Sequence, residues 1–218
     1  MLKRVLEPEV MDTEEDALEY EAIPNDEVND AFTNELLRLR PNPLKSVDLG
    51  TGPGHIPILL ARKHRTVQVI GLDLSLSMLK LARKRLELAG VSDRVQFVAM
   101  DIKNTSLDSN CYDLVFSNSI VHHIAEPRSV FIEAKRLSKR DGLIFFKDLL
   151  RPESLEEVDR LVDTYATDGT QYQRELFRNS LRAALTVREV RQIADEAGLR
   201  PAEVKQTSDR HWTLIATS

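Results

Sequence analysis

Cysteine is all but missing from this chain. Cys111 is the only one in 218 residues, so no disulfide forms within the chain and no zinc site of several thiolates can be built. Positive charge is not in excess either. Thirty Lys and Arg against 35 Asp and Glu leave a net charge of −5, which gives no support to a nucleic-acid-binding surface. From Glu7 to Asp30 the sequence has no Lys or Arg at all, and such a run of carboxylates is read first as a solvated arm. No apolar run reaches the roughly 18 residues that span a bilayer, and no charged-then-apolar signal segment is seen, so the expected setting is cytoplasmic, without membrane insertion. Gly-Lys-Ser and Gly-Lys-Thr are also lacking, which removes the P-loop reading. Hydrophobic content of 42% with 30% charged residues is that of a single globular domain.

Glycine is scarce, with eight in all, and three of them stand at 50, 52 and 54. They follow Ser46-Val47-Asp48-Leu49, which reads as a strand, and precede an apolar helical pattern from His55 to Ala61. A strand that breaks into a glycine turn and then a helix lets backbone N–H groups approach a ligand beside the positive end of the helix dipole. The dinucleotide fingerprint G-x-G-x-x-G would need its third glycine at 55, where His55 stands. Asp48 two places before the first glycine, followed by G-x-G-x-G, resembles motif I of the class I S-adenosylmethionine (SAM)-dependent methyltransferases. The resemblance implies that Asp48 lies near the cationic methionine part while Gly50, Thr51, Gly52 and Gly54 pass beneath the ligand.

Strand and helix patterns alternate after this motif. Strands are expected at Val67–Leu72, Arg94–Met100, Asp113–Ser117 and Gly142–Leu149, with helices from Ser75 to Gly90 and over 128–138. That alternation means a parallel sheet covered by helices on both faces. Residues 153–183 read as two polar helices broken at Asp168-Gly169, and Thr186 to Glu189 is a capping box opening another helix. Two strand patterns, Ala202–Thr207 and His211–Thr217, are joined by only three residues and must form an antiparallel hairpin. The fold class is therefore α/β, and it resembles the seven-stranded, doubly wound methyltransferase sheet over residues 44–218. The expected organisation is one domain. Residues 1–43 form an acidic arm and N-terminal helix acting as a lid, and 44–150 the SAM-binding core. Residues 151–185 are inserted helices capping the substrate, and 186–218 the last helix and hairpin. The N-terminal helix is read from Pro24-Asn25-Asp26, with Val28, Ala31, Phe32, Leu36 and Leu39 on its apolar face.

Ligands of open parallel sheets bind beyond the C-terminal strand ends. The second strand ends at Asp73, 19 residues past Gly54, where a carboxylate can accept from both ribose hydroxyls. By the family resemblance Asp101 and Ile102 meet the adenine amine and ring, with Leu74, Met78 and Met100 adding apolar contact. Ser117 or Asn118, after the fourth strand, would border the reactive methyl. His122 and His123 follow, and a histidine can remove a proton from an attacking hydroxyl or amine. By motif position His122 is read as the base, with His123 next; a reading in which both merely satisfy local backbone groups stays open. The acceptor pocket is expected from Tyr20, Phe32, Tyr165, Tyr172, Phe177 and Arg178.

No metal is implied, because the place of the magnesium-binding aspartate of catechol-type relatives holds Ser117-Asn118-Ser119. His55 and His64 are read as loop and helix-face residues, and Cys111 as structural. The function implied is methyl transfer from SAM, with S-adenosylhomocysteine as product, to a small-molecule acceptor and not to nucleic acid. A non-catalytic protein of the same fold that binds SAM or a partner and, further off, a nicotinamide-dependent oxidoreductase are the alternatives.

Overall fold

The computed structural model describes residues 2–7, 19, 21 and 25–217. Alternation along the strands explains why the sheet has two buried faces. In β4 (Tyr112–Asn118), Leu114 and Phe116 point into one core, and Val115 into the other. The longest strand, β5 (Ser138–Leu149), repeats this with Leu143 and Phe145 against Ile144 and Phe146. Helices must therefore cover both sides, since strands buried on both faces expose no polar surface to water. On one side lie α1 (Asp26–Leu39), α2 (His55–Lys63) and α3 (Leu76–Ala89); on the other lie α4 (Arg128–Leu137) and α7 (Val187–Glu196).

The remaining strands are β1 (Lys45–Leu49), β2 (Gln68–Asp73), β3 (Val95–Ala99), β6 (Ala202–Gln206) and β7 (His211–Thr217). Their order is β3-β2-β1-β4-β5-β7-β6, with the first five parallel and β7 antiparallel to both β5 and β6. The α/β class, the seven strands and the terminal hairpin expected from the sequence are all found. Strand order reverses beside β1, so the loops after β1 and β4 part and leave a crevice there. The inserted pair, α5 (Leu155–Tyr165) and α6 (Gln171–Ala183), follows the C-terminal end of β5 and packs as a small third core around Val158, Leu161, Val162 and Leu181.

Two local expectations shift. Strand β5 begins at Ser138 and not at Gly142, because Lys139, Arg140 and Asp141 bulge out of the ladder, with Asp141 at φ 67°. Three charged residues in a row interrupt the apolar strand pattern, but the backbone pairs on either side of them. In α1 the buried face is Asn29, Phe32, Thr33 and Leu36, while Val28 and Ala31 are exposed. Thr33 lies buried because its hydroxyl donates to the Asn29 carbonyl at 2.7 Å, so this polar side chain needs no water.

Candidate active site

The glycine loop is fixed to the end of β2 by its own backbone. The N–H groups of Gly50 and Thr51 both donate to the Leu72 carbonyl, at 2.9 and 2.8 Å. Gly50 needs its glycine for two reasons: φ is +81°, and a Cβ there would sit 2.4 Å from Ile120 Cγ1. Gly52 differs. A Cβ at Gly52 would meet nothing within 4 Å, because the residue borders the open cleft. The loop then turns into α2 with Gly54 as its N-cap.

Asp73 ends β2 and faces the same cleft. Its Oδ2 accepts from Gly52 N at 2.8 Å and its Oδ1 from Ser75 N at 2.9 Å, so two backbone donors aim the carboxylate. Ser75, not Asp73, caps α3, accepting from Met78 N at 3.1 Å. Leu74, Met78 and Ile102 give the cleft an apolar wall beyond Asp73. Asp48 and Thr51 lie at its base. Burial pushes the Asp48 carboxyl up to about 7, the Thr51 hydrogen bond opposes that, and nearby Asp73 adds to it. Such a carboxyl is primed to ionise when a cation enters.

Three residues read as donor contacts stand back from the cleft. Ser117 is buried and its hydroxyl donates to Leu49 O at 2.6 Å, tying β4 to β1. Asp101 accepts from Lys103 N at 2.9 Å and pairs with the Lys103 ammonium at 3.1 Å. Gly54 supports from behind, since a Cβ would strike Phe97 at 2.4 Å.

The far wall comes from the end of β4. Asn118, Ser119, Ile120 and His123 line it, and Ser119 holds φ +59° while its N–H donates to Lys147 O. A 3₁₀ turn over Val121–His123 sets the two imidazoles side by side, with ring centroids 4.2 Å apart. His123 faces the cleft. His122 lies behind it, 4% exposed, and its Nδ1 donates to Asp148 Oδ1 at 2.6 Å. Asp148 is fully buried and also accepts from the N–H groups of Val121 (2.5 Å), His122 (3.3 Å) and Leu149 (2.6 Å). Burial alone would lift the Asp148 pKa, but the His122 charge and these donors outweigh it and hold it below its ordinary value. Burial likewise works against charge on His122, yet Asp148 and Glu7 raise its pKa overall.

Glu7 arrives from the N-terminal segment. Its Oε1 lies 3.6 Å from His122 Nε2 and 3.2 Å from His123 Nδ1. Burial raises its pKa, against the opposing pull of His122. Arg4 anchors the same segment by donating to the carbonyls of Ala183 (2.6 Å), Ile124 (2.9 Å) and His122 (3.2 Å). Glu21 pairs with His55 and Arg85, and Gln173 donates to Glu19 Oε2 at 3.0 Å.

The expected acceptor residues do not gather at the cleft. Phe32 is 1% exposed and packs edge-on to Phe145 in the core, so its role is structural. Tyr165 donates to Asp209 and lies under the Arg210 guanidinium, Arg178 pairs with Asp159, and Phe177 packs against the third core. Tyr172 is 44% exposed on α6, and Tyr20 lies outside the described residues. Residues that sequence reasoning missed here are Ile120, Asp148, Glu7 and Arg4. A signal existed for Asp148, an aspartate within the apolar run from Leu143 to Leu149. For Glu7 there was none beyond its place at the head of an acidic stretch.

Residues 42–198, well over half of the chain, match the family model described as a methyltransferase domain. Among curated relatives, the chain is 30% identical over 132 residues to the malonyl-[acyl-carrier protein] O-methyltransferase of Legionella pneumophila, covering 61% of this chain and 45% of that protein. It is 29% identical over 147 residues to the demethylmenaquinone methyltransferase of Thermotoga maritima, covering 67% of this chain and 62% of that one. The chain thus spans about half the length of these relatives. Its fold matches a Methanococcus maripaludis crystal structure described as an S-adenosyl-L-methionine-dependent methyltransferase, with TM-score 0.76 at 20% identity, over 98% of this chain and 97% of that one. It also matches the plantazolicin methyltransferase solved with SAH, with TM-score 0.68 at 16% identity, over 89% and 86% of the two chains. The matched domain, the strand order and the glycine loop at the head of the cleft together give one conclusion: the chain belongs to the class I, seven-stranded family of SAM-dependent methyltransferases.

Proposed function

We propose that this protein transfers the methyl group of SAM to a small-molecule acceptor whose proton leaves toward the histidine pair. The observation that carries this is the division of one cleft. Its donor side is Asp48, Gly50, Gly52 and Asp73, and its opposite wall is Asn118, Ile120 and His123. Asp73, aimed by two backbone donors at the end of β2, offers a carboxylate of the kind that accepts from a ribose diol. Asp48, about half protonated at pH 7 with its pKa raised to about 7, would gain a cationic partner in the sulfonium and amino group of the donor. Apolar Leu74, Met78 and Ile102 suit an adenine ring.

Attack is in line with the departing sulfur, so alignment supplies much of the acceleration. His123 faces the cleft and stands where a base would act, while His122 behind it is held by Asp148. The pair thereby divides its labour: His122 positions the turn, and His123 takes the proton. The N-terminal segment is read as the lid because Glu7 and Glu21 pair with His123 and His55 of the cleft wall, while Glu19 is held by Gln173 of α6.

The test is release of S-adenosylhomocysteine over a panel of acyl-thioester carboxylates, phenols, quinols and amines, with His123→Ala beside the parent. Turnover on a small acceptor, at least tenfold lower in His123→Ala with unchanged donor affinity, supports the reading. SAM binding with no transfer to any member of the panel contradicts it.

A further inference from the structure

We infer that Glu7, His122 and His123 form a binding site for a transition-metal dication of the zinc class. One ligand atom from each residue, a carboxylate oxygen and two imidazole nitrogens, lies within 4.8 Å of the others. Two of the three separations are 3.6 and 3.2 Å. Two ligand atoms on a tetrahedral zinc, at bonds of about 2.0–2.1 Å, stand about 3.3 Å apart. Glu7 Oε1 therefore sits almost where a shared ion would hold it.

Two independent features favour an ion over a chance cluster. Glu7 Oε1 is buried yet has no hydrogen-bond partner among the described residues, which is costly for a carboxylate. His122 donates through Nδ1 to Asp148 at 2.6 Å, so its Nε2 is the atom turned toward Glu7. A carboxylate behind a ligating imidazole is the usual outer partner of a metal-bound histidine, fixing its tautomer and strengthening it as a ligand. Glu7 and Asp148 place two carboxylates at the site, and the nearby Arg4 guanidinium, which donates to the carbonyls of Ala183, Ile124 and His122, adds one positive charge that works against the ion. Two nitrogens and one carboxylate suit zinc, cobalt or iron better than magnesium, which prefers oxygen. Binding takes up the His122 Nε2 lone pair, releasing to solvent any proton held there, and leaves one coordination position for water or an acceptor atom.

The site has two consequences. It ties Glu7, and so the N-terminal segment, to the turn that carries both histidines. It also occupies the His123 Nδ1 lone pair, so a bound ion and an imidazole base exclude each other at this residue. The inference stands apart from methyl transfer, because binding is measured without donor or acceptor.

The experiment titrates Co2+ into the tag-free, chelator-treated full chain and follows the visible d–d bands, with competition by Zn2+. Expected is one equivalent bound with micromolar or tighter affinity, displaced by Zn2+ and untouched by millimolar Mg2+. Glu7→Gln and His123→Ala should each weaken binding at least tenfold, and His64→Ala, a surface histidine, should not. Glu7→Gln decides the matter, since it alters a residue outside the strands and helices and keeps its shape. Absence of d–d bands at 100 µM protein and Co2+, or equal affinity in Glu7→Gln with an unchanged circular dichroism spectrum, overturns the site.

Discussion

The two walls of the cleft are built in opposite ways. The donor wall is local: Asp48, Gly50, Thr51 and Gly52 lie within five residues, and Asp73 and Ser75 within three. Its bonds run between neighbouring strand ends, as in Gly50 N to Leu72 O and Gly52 N to Asp73. The histidine wall is assembled from afar. Arg4 and Glu7, His122, Asp148 and Ala183 come from four separate stretches of chain and meet only once the fold exists. A local wall is set by short-range chemistry and tolerates changes elsewhere. The remote wall depends on a buried charge network, in which loss of one member leaves the others uncompensated.

The sharpest way to break the comparison is Asp148→Ala. It strips a buried acceptor from three backbone N–H groups and leaves the His122 charge unpaired, so a loss of about 3–5 kcal/mol of folding stability is expected in urea unfolding. A loss below about 1 kcal/mol would mean that the network is not the keystone of its wall. On the donor wall, Gly50→Ala forces a left-handed residue and a Cβ into Ile120, together about 2–4 kcal/mol. Gly52→Ala carries only the backbone part, about 1–2 kcal/mol, but its methyl group enters the donor space. Comparing SAM affinity with stability in these two variants separates support from contact.

Next in size is Asp73→Ala, expected to weaken SAM binding by about 1–3 kcal/mol through loss of a charged hydrogen bond. His123→Ala should leave donor affinity unchanged. Equal losses in both would erase the division of the cleft.

A subtler effect is pH. The Asp48 carboxyl has its ordinary value near 3.8 and is raised to about 7 in the fold by burial. Its folded-state pKa is the higher one, so the folded protein holds the extra proton and loses stability as pH rises from about 4 to 7. Donor affinity moves the other way, rising until Asp48 ionises at about 7 and then levelling, and Asp48→Asn should flatten both profiles. Smallest is the exposed Lys205–Glu203 pair, whose removal should change stability by less than about 0.5 kcal/mol.

The same contrast explains what the sequence made legible. The alternation of strands and helices, the hairpin, the Ser75 cap and the glycine turn follow from spacing and turn chemistry, because neighbours in sequence carry them. Ser117 and Asp101 matched a motif position; that the Ser117 hydroxyl donates to Leu49 O and that Asp101 Oδ1 accepts from Lys103 N could not be read there, because such side-chain choices are made by packing. Phe32 reads equally well as a pocket aromatic or a core one; burial against Phe145 settles it. Glu7 is one carboxylate in an acidic run, and only the fold brings it to histidines more than a hundred residues away.

The central claim is that the donor lies on the local wall with its sulfur turned to the remote one. A co-crystal structure with S-adenosylhomocysteine tests it most directly. The account expects the ribose hydroxyls on Asp73, the amino-acid tail beside Asp48 and Gly50, and the sulfur facing His123. A nucleoside bound outside the Gly50–Gly52 loop, or no bound ligand at saturating concentration, would contradict it.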